Sequence, residues 1–100
     1  MELTSAQRRH LRGLAHHLSP VVQIGSAGLT EGVQGAVDEA LGAHELIKVK
    51  LDADRDERGA LAIELARATA STVAQQIGRV VVLYRPHKDP KKRKIVLPSV

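Results

Sequence analysis

The chain has no cysteine, no phenylalanine and no tryptophan, and Tyr84 is its only aromatic residue. Without cysteine, disulfide bonds and thiolate metal ligands are excluded. With a single ring, the chain lacks the row of exposed aromatic side chains on which several bases stack in some nucleic-acid-binding domains. Long apolar runs are also absent, since no stretch approaches the roughly 20 residues needed to span a bilayer. The core must therefore be built from Leu, Val, Ile and Ala.

The length of 100 residues is typical of one domain that buries a core without covalent staples. The first ten residues are mostly polar and lack the apolar segment of a secretory signal peptide. We therefore expect a single soluble domain over residues 1–98 that is located in the cytoplasm and has no membrane partner. The oligomeric state stays open, with a monomer as one option.

The net charge of +4 is unevenly distributed along the chain. Residues 31–64 contain nine acidic and four basic residues, whereas residues 85–100 contain six basic residues and one aspartate. Residues 1–30 contain three arginines and one glutamate. This pattern favours a basic face for a polyanion and an acidic face that is turned away or meets a basic partner.

Residues 20–30, with the sequence PVVQIGSAGLT, are the most informative stretch. A short apolar run meets the tetrapeptide Gly25-Ser26-Ala27-Gly28, and Thr30 follows as the cap of a new helix. Two glycines let a ligand backbone approach closely, and a helix N-terminus offers free N–H groups to an anion. A Gly-x-x-Gly loop of this kind clamps nucleotides in KH domains. The alternative is an ordinary strand-to-helix turn, and the uncharged Ser26 and Ala27 offer only N–H groups and a hydroxyl.

The spacing of apolar residues predicts the element order α-β-α-β-α-β-β. Thr4 and Gln7 form a capping box for a first helix that ends at Ser19-Pro20. The other predicted elements are a mostly buried strand at 21–24, a helix after Thr30, a strand at 46–51, a mobile connection at 52–59, a helix at 60–70, a hairpin of 72–77 with 80–84, and a short edge strand at 95–97.

The strand at 46–51 alternates apolar residues with Lys48 and Lys50. This alternation is typical of a sheet with one open face. We therefore expect helices on the other face only, which gives an α/β fold of the α+β two-layer sandwich type with a four-stranded mixed sheet.

Three basic groups are candidates for contact with a polyanion. The densest contains Arg85, Lys88, Lys91, Lys92, Arg93 and Lys94; the others are the Lys48/Lys50 pair and the first-helix arginines, among them Arg8 and Arg12. The alternative for each group is a solvated surface, which is the usual role of a run of charges.

Catalytic and metal chemistry find little support in the sequence. It contains no P-loop, no Gly-x-Ser-x-Gly and no His-Glu-x-x-His motif. The adjacent His16 and His17 are expected to point apart, and no histidine lies at a metal-ligand spacing. The carboxylates at 52–57 are typical of a hydrophilic loop. We expect no catalytic residue, no metal, no cofactor and no small-molecule substrate.

Three segments in this order resemble a CRM domain (chloroplast RNA splicing and ribosome maturation): IG-x-x-GLT at 24–30, HELIKVK at 44–50, and LYRP at 83–86. The chain is most similar to the small single-domain bacterial form, the YhbY type, over roughly residues 3–98. The resemblance implies a fold like the C-terminal domain of translation initiation factor three. It also implies association with the ribosomal RNA of the large-subunit precursor, and a role in its assembly.

The resemblance further implies that structured RNA is bound by a basic surface next to the Gly-x-x-Gly loop. On this interpretation the RNA-binding residues are Gly25, Ser26, Ala27, Gly28, Lys48, Lys50, Arg85, Lys88, Lys91, Lys92, Arg93, Lys94, Arg8 and Arg12. Little base readout is expected, so that specificity would come from RNA shape. Three alternatives stay open: a protein-interaction module that uses the acidic residues 31–64, a general DNA binder, and a metal-dependent enzyme.

Overall fold

The computed structural model describes residues 1–99 as three α-helices, four β-strands and one short 3₁₀ turn. The elements in chain order are α1 (Ser5–Ala15), β1 (Pro20–Ile24), α2 (Glu31–His44), β2 (Leu46–Leu51), α3 (Arg55–Ala68), β3 (Thr72–Ile77), β4 (Val80–Tyr84) and the 3₁₀ turn Pro90–Lys92. The predicted order of helices and strands is therefore confirmed. None of the helices within residues 1–99 is both long and apolar enough to cross a membrane.

The four strands form one mixed sheet in the order β1-β2-β4-β3. β1 runs parallel to β2, and the other two pairs are antiparallel. β3 and β4 form the predicted hairpin, in which Gly78 adopts a φ of +54°, a conformation that costs other residues energy. The predicted four-stranded mixed sheet is confirmed.

Helices cover both faces of this sheet, in contrast to the expectation that one face carries none. α2 and α3 pack on the face that presents Ile47, Val49 and Leu51. On the opposite face, Leu11 and Ala15 of α1 pack in a second apolar cluster with strand residues that include Tyr84. The reason is that Leu46, Ala74 and Val82 also make part of this second face apolar. Only the part around Lys48 and Lys50 stays open.

Several local predictions were wrong, and the first helix ends at Ala15 rather than at Ser19-Pro20. The segment 52–59 is not a mobile connection throughout, because α3 begins at Arg55, with Asp56 and Glu57 in its first turn, where acidic residues stabilise a helix. β1 is an edge strand in which only Ile24 is buried. Residues 95–97 form no strand; Ile95 and Leu97 instead pack against the cluster around α1.

Candidate nucleic-acid interface

The predicted contact residues lie at two separate places in the fold. Ile24 pairs with Leu51, so the Gly25–Gly28 loop follows the end of the sheet where β2 finishes. Leu46 pairs with Tyr84, so the segment 85–94, here called the C-terminal basic loop, starts from the end where β2 begins. A six-residue strand spans roughly 17 Å. The Gly25–Gly28 loop and the C-terminal basic loop therefore lie at opposite ends of the sheet.

The Gly25–Gly28 loop is a tight turn that leaves room for a ligand. The Gly28 N–H donates to the Gly25 carbonyl at 3.0 Å, and Gly28 has a φ of +73°. A Cβ built on either glycine meets nothing within 4 Å. In the described part of the chain the N–H groups of Ser26 and Ala27 have no protein acceptor. The loop can thus present backbone donors to an anion at close range.

Thr30 caps α2 immediately after this loop. Its hydroxyl accepts from the Val33 N–H at 3.1 Å, and Glu31 lies in the first turn. This arrangement is the one predicted from the sequence. The carboxylate of Glu31 partly neutralises the positive end of the helix. The free N–H groups of the turn therefore attract an anion more strongly than the helix dipole does.

Lys48 and Lys50 lie on the face of the sheet that carries α1, on the open part that α1 leaves uncovered. Lys48 lines a surface hollow of about 560 Å³ together with Arg12 and His16. Lys50 is the next residue on the same face of β2 and is exposed. We refer to Arg12, His16, Lys48, Lys50 and the Gly25–Gly28 turn as the sheet-face surface.

Arg8 is not part of this surface, because its guanidinium bonds to the protein itself. One of its nitrogens donates to the carbonyl of Val73 at 2.6 Å and to that of Ala74 at 3.3 Å. These carbonyls lie where the β3 register shifts, which leaves acceptors without a strand partner. Arg8 therefore attaches α1 to the sheet, whereas Arg12, one turn later, is exposed.

The C-terminal basic loop is held in place by Glu45, which the sequence did not identify. Its carboxylate accepts from the backbone N–H of His87 at 2.7 Å, of Lys94 at 2.6 Å and of Ile95 at 3.0 Å. Glu45 itself is buried and has a φ of +64°, an uncommon conformation for a non-glycine residue. A single acid thus anchors the beginning and the end of the loop.

The environment of Glu45 favours its ionised form. Burial raises the pKa of the Glu45 carboxyl, but the three backbone donors of His87, Lys94 and Ile95, with a smaller charge effect of His87, outweigh this and leave its pKa below the ordinary value. Burial also raises the pKa of the nearby Tyr84 hydroxyl; the negative charge of Glu45 raises it further and Arg93 opposes this shift.

The basic residues of the loop divide into bound and exposed groups. Arg85 donates to the Asp38 carboxylate and to backbone carbonyls, among them that of Thr69 at 2.8 Å. Arg93 donates to the His87 carbonyl at 2.8 Å and the Lys94 ammonium to the Ala43 carbonyl at 2.6 Å. In contrast, within residues 1–99 no protein acceptor binds the ammonium groups of the exposed Lys88, Lys91 and Lys92.

The histidines form no metal site in the part of the chain that the structure describes, where no cluster of three or more potential ligands occurs. The expectation that His16 and His17 point apart was wrong, since their rings meet edge to face with centroids 5.3 Å apart. His16 is the C-cap residue of α1, and its backbone angles are still helical.

The acidic residues at 52–57 do not converge on a cleft. Asp52 forms an exposed ion pair with Arg79 of the hairpin turn at 2.9 Å, and Asp54, Asp56 and Glu57 belong to the start of α3. Exposed pairs of this kind contribute little to stability. Asp54, Asp56 and Glu57 are exposed at the start of α3, as is typical of a hydrophilic surface.

The comparison with known proteins gives a family and several relatives. The sequence model of the CRS1 / YhbY (CRM) domain family matches residues 3–85 of this chain. A protein of Haemophilus influenzae named RNA-binding protein is 47% identical over 90 residues, which are 89% of this chain and 91% of that protein. The probable RNA-binding protein PA4753 of Pseudomonas aeruginosa is 44% identical over 93 residues, 92% of this chain and 89% of its own.

The fold is also found in a solved structure. The solution structure of SAV1595 from Staphylococcus aureus, a hypothetical protein described as a candidate RNA-binding protein, matches with a TM-score of 0.83 and 40% identity. The match covers 97% of this chain and 100% of SAV1595. The probable RNA-binding protein YqeI of Bacillus subtilis is 38% identical over 91 residues, 90% of this chain and 95% of YqeI. The names of these relatives describe RNA binding and no enzymatic activity.

Proposed function

Because the chain belongs to the CRS1/YhbY (CRM) domain family, we propose that it binds structured RNA without catalysing a reaction. The RNA we propose is the ribosomal RNA of the large-subunit precursor, and the role is assistance in its assembly, as the resemblance of the sequence implies. A protein with this role acts in the cytoplasm.

The observation that carries the proposal is the arrangement of the sheet-face surface. Arg12 and Lys48 border one hollow, no acidic residue lines it, and Lys50 continues the basic row along β2 towards the Gly25–Gly28 turn. Lysine and arginine bind phosphates through charge, and backbone N–H groups bind them through hydrogen bonds. Arg12, Lys48 and Lys50 therefore lie on one open face of the sheet that suits a phosphodiester backbone, and the Gly25–Gly28 turn lies beyond the end of β2.

The C-terminal basic loop provides a second set of phosphate contacts. Its exposed ammonium groups belong to Lys88, Lys91 and Lys92, while the loop backbone is fixed by Glu45. A fixed loop loses less conformational entropy on binding than a free tail. If these three lysines and Arg12, Lys48 and Lys50 each meet a phosphate, the slope of log K against log salt is about −4 to −5.5.

The test is sedimentation of a cell lysate on a density gradient, with the protein followed through free, small-subunit and large-subunit fractions. We expect the wild type to migrate with large-subunit precursors, and the double variant Lys91→Ala/Lys92→Ala to shift towards the free fractions. A matched control, Arg55→Ala/Arg58→Ala, removes two positive charges from α3 and should migrate like the wild type.

Other results would favour the alternatives. A wild-type protein that stays in the free fractions at low salt contradicts the ribosomal role. Equal affinity of the purified protein for duplex DNA and for structured RNA would indicate a general nucleic-acid binder. Binding to the ribosome that survives Lys91→Ala/Lys92→Ala, but is lost when Asp56 and Glu57 are replaced, would indicate a protein-interaction module.

A further inference from the structure

The hollow of the sheet-face surface combines an apolar floor with a basic rim. α1 contributes Arg12, and His16 follows its last residue. The strands contribute the side chains of Lys48, Gln75 and Ile77, and the floor is completed by Val80 and Val82. The volume of about 560 Å³ lies in the range of small-ligand sites. The hollow is thus larger and less polar than phosphate binding alone requires.

Ile77 is the unusual member of this group. It lies at the end of the edge strand β3, beside a basic rim, and is 64% exposed. The neighbouring Val80 is only half-buried. These side chains leave an uncovered apolar patch next to two cations, which suits a ligand with a flat apolar body and an attached anion.

A nucleotide has this combination of chemical groups. Its phosphate matches Arg12 and Lys48, its base can lie over Ile77 and Val80, and the amide of Gln75 carries the donors and the acceptor that a base edge requires. A paired base in an A-form helix is stacked and inaccessible to such a floor, whereas bases in loops and bulges are available. The only aromatic ring, Tyr84, is buried, so aliphatic side chains would replace the stacking platform.

We infer that this hollow binds one unstacked nucleotide of the RNA, with its base on Ile77 and Val80 and its phosphate between Arg12 and Lys48. The inference rests on the proposed RNA binding and adds a base subsite to it. It also revises the expectation of little base readout, because an unpaired nucleotide in a loop or bulge becomes part of what is recognised.

The test compares three labelled probes by fluorescence anisotropy at one fixed salt concentration: decauridine, a ten-unit abasic ribose-phosphate chain, and an RNA hairpin with an unpaired loop. Decauridine and the abasic chain carry the same phosphates and differ in the bases. We expect the wild type to bind decauridine about fivefold more tightly, a difference of about 1 kcal/mol, at the low end of the range for a base on an aromatic ring.

The variant Ile77→Thr removes part of the floor but keeps a β-branched residue in the strand. We expect it to lose most of the preference for decauridine over the abasic chain, with unchanged affinity for the abasic chain. Ile63→Thr is the matched control, because Ile63 is also 64% exposed but belongs to α3 on the other side of the sheet. Lys48→Ala should instead weaken both probes equally, since it removes a phosphate contact.

The outcomes separate the two proposals. If the wild type binds the hairpin but binds decauridine and the abasic chain equally, the base subsite is wrong and the proposed RNA binding stands. If the preference is present but survives Ile77→Thr, the base lies elsewhere and the subsite is wrong. If none of the three probes binds at low salt, the proposed function itself fails.

Discussion

At the scale of single residues, the two glycines of the Gly25–Gly28 turn have different tasks. Gly28 has a φ of +73°, whereas the backbone of Gly25 lies outside the left-handed region, and a Cβ on either residue has space around it. Gly28 is therefore required by the conformation of the free protein. Gly25 is not, so any need for a glycine there comes from the approach of a ligand.

This difference gives a test of the loop. We expect Gly28→Ala to lower the free energy of unfolding by about 1–2 kcal/mol, because alanine resists the left-handed conformation. Gly25→Ala should leave the free energy of unfolding within about 0.5 kcal/mol of the wild type, yet weaken binding of an RNA hairpin. Urea denaturation and anisotropy measure the two quantities.

An unchanged RNA affinity in Gly25→Ala would contradict close approach of the phosphodiester backbone to the turn. Gly35→Ala is the control, because it adds a methyl group to the exposed side of α2 with nothing within 4 Å. It should stabilise the helix slightly and leave RNA binding unchanged.

At the scale of elements, the C-terminal basic loop owes its shape to Glu45 rather than to regular secondary structure. Apart from the 3₁₀ turn at Pro90–Lys92, the loop has no hydrogen-bonded ladder. Three backbone donors converge on one carboxylate instead. The loop is therefore sensitive to the charge state of a single group.

We expect Glu45→Gln to lower the free energy of unfolding by about 1–3 kcal/mol at pH 7. The NH₂ group of glutamine is a donor and replaces one of the two oxygens that accept hydrogen bonds from the three backbone N–H groups. Urea denaturation measures this effect. The control Glu64→Gln, on the exposed surface of α3, should unfold like the wild type. Equal unfolding midpoints for Glu45→Gln and the wild type would show that the anchor contributes nothing.

The same anchor predicts a pH dependence of stability. The pKa of Glu45 is lowered in the folded protein from the ordinary value of 4.5, so between the folded pKa and 4.5 the unfolded chain binds more protons. Its contribution is present above pH 4.5 and is lost as the pH falls through the folded pKa. We therefore expect a smaller acid-induced loss of stability in Glu45→Gln than in the wild type.

At the scale of the whole molecule, the Gly25–Gly28 turn and the C-terminal basic loop are separated by the length of the sheet. The sheet-face surface extends to the Gly25–Gly28 end, and the C-terminal basic loop is attached at the Tyr84 end, in a molecule whose longest axis is 38 Å. A single nucleotide cannot meet both. An RNA must be long or folded to contact them together.

RNA length should therefore change which lysines matter. We expect Lys48→Ala/Lys50→Ala and Lys91→Ala/Lys92→Ala each to weaken binding of a long structured RNA, with additive free-energy changes because the sites are well separated. On a trinucleotide, only one of the two double variants should have an effect. Fluorescence anisotropy measures the affinity for the long RNA and for the trinucleotide. If both double variants lose affinity for the trinucleotide to a comparable extent, the two surfaces are not distinct.

Much of the fold could be predicted from the sequence because the signals are local. The capping box of Thr4 and Gln7, the cap at Thr30 and the alternation of Ile47 to Leu51 each depend on residues a few positions apart, and the structure contains all three. Local patterns also identified the hairpin turn at Gly78. The family resemblance rested on such short segments too.

What the tertiary structure decided depends on contacts between distant residues. Local spacing does not indicate that α1 covers the second sheet face. It also does not indicate that Arg8 bonds to β3, 65 residues away, or that Glu45 anchors Ile95, 50 residues away. Charge counting treated the basic residues as equivalent, although Arg8, Arg85, Arg93 and Lys94 donate hydrogen bonds to the protein itself. In contrast, the ammonium groups of Lys88, Lys91 and Lys92 are exposed and have no acceptor within residues 1–99. The sequence by itself determined the elements and the supply of positive charge; the packing of distant segments decided which charges face a ligand, because burial and hydrogen bonding act in three dimensions.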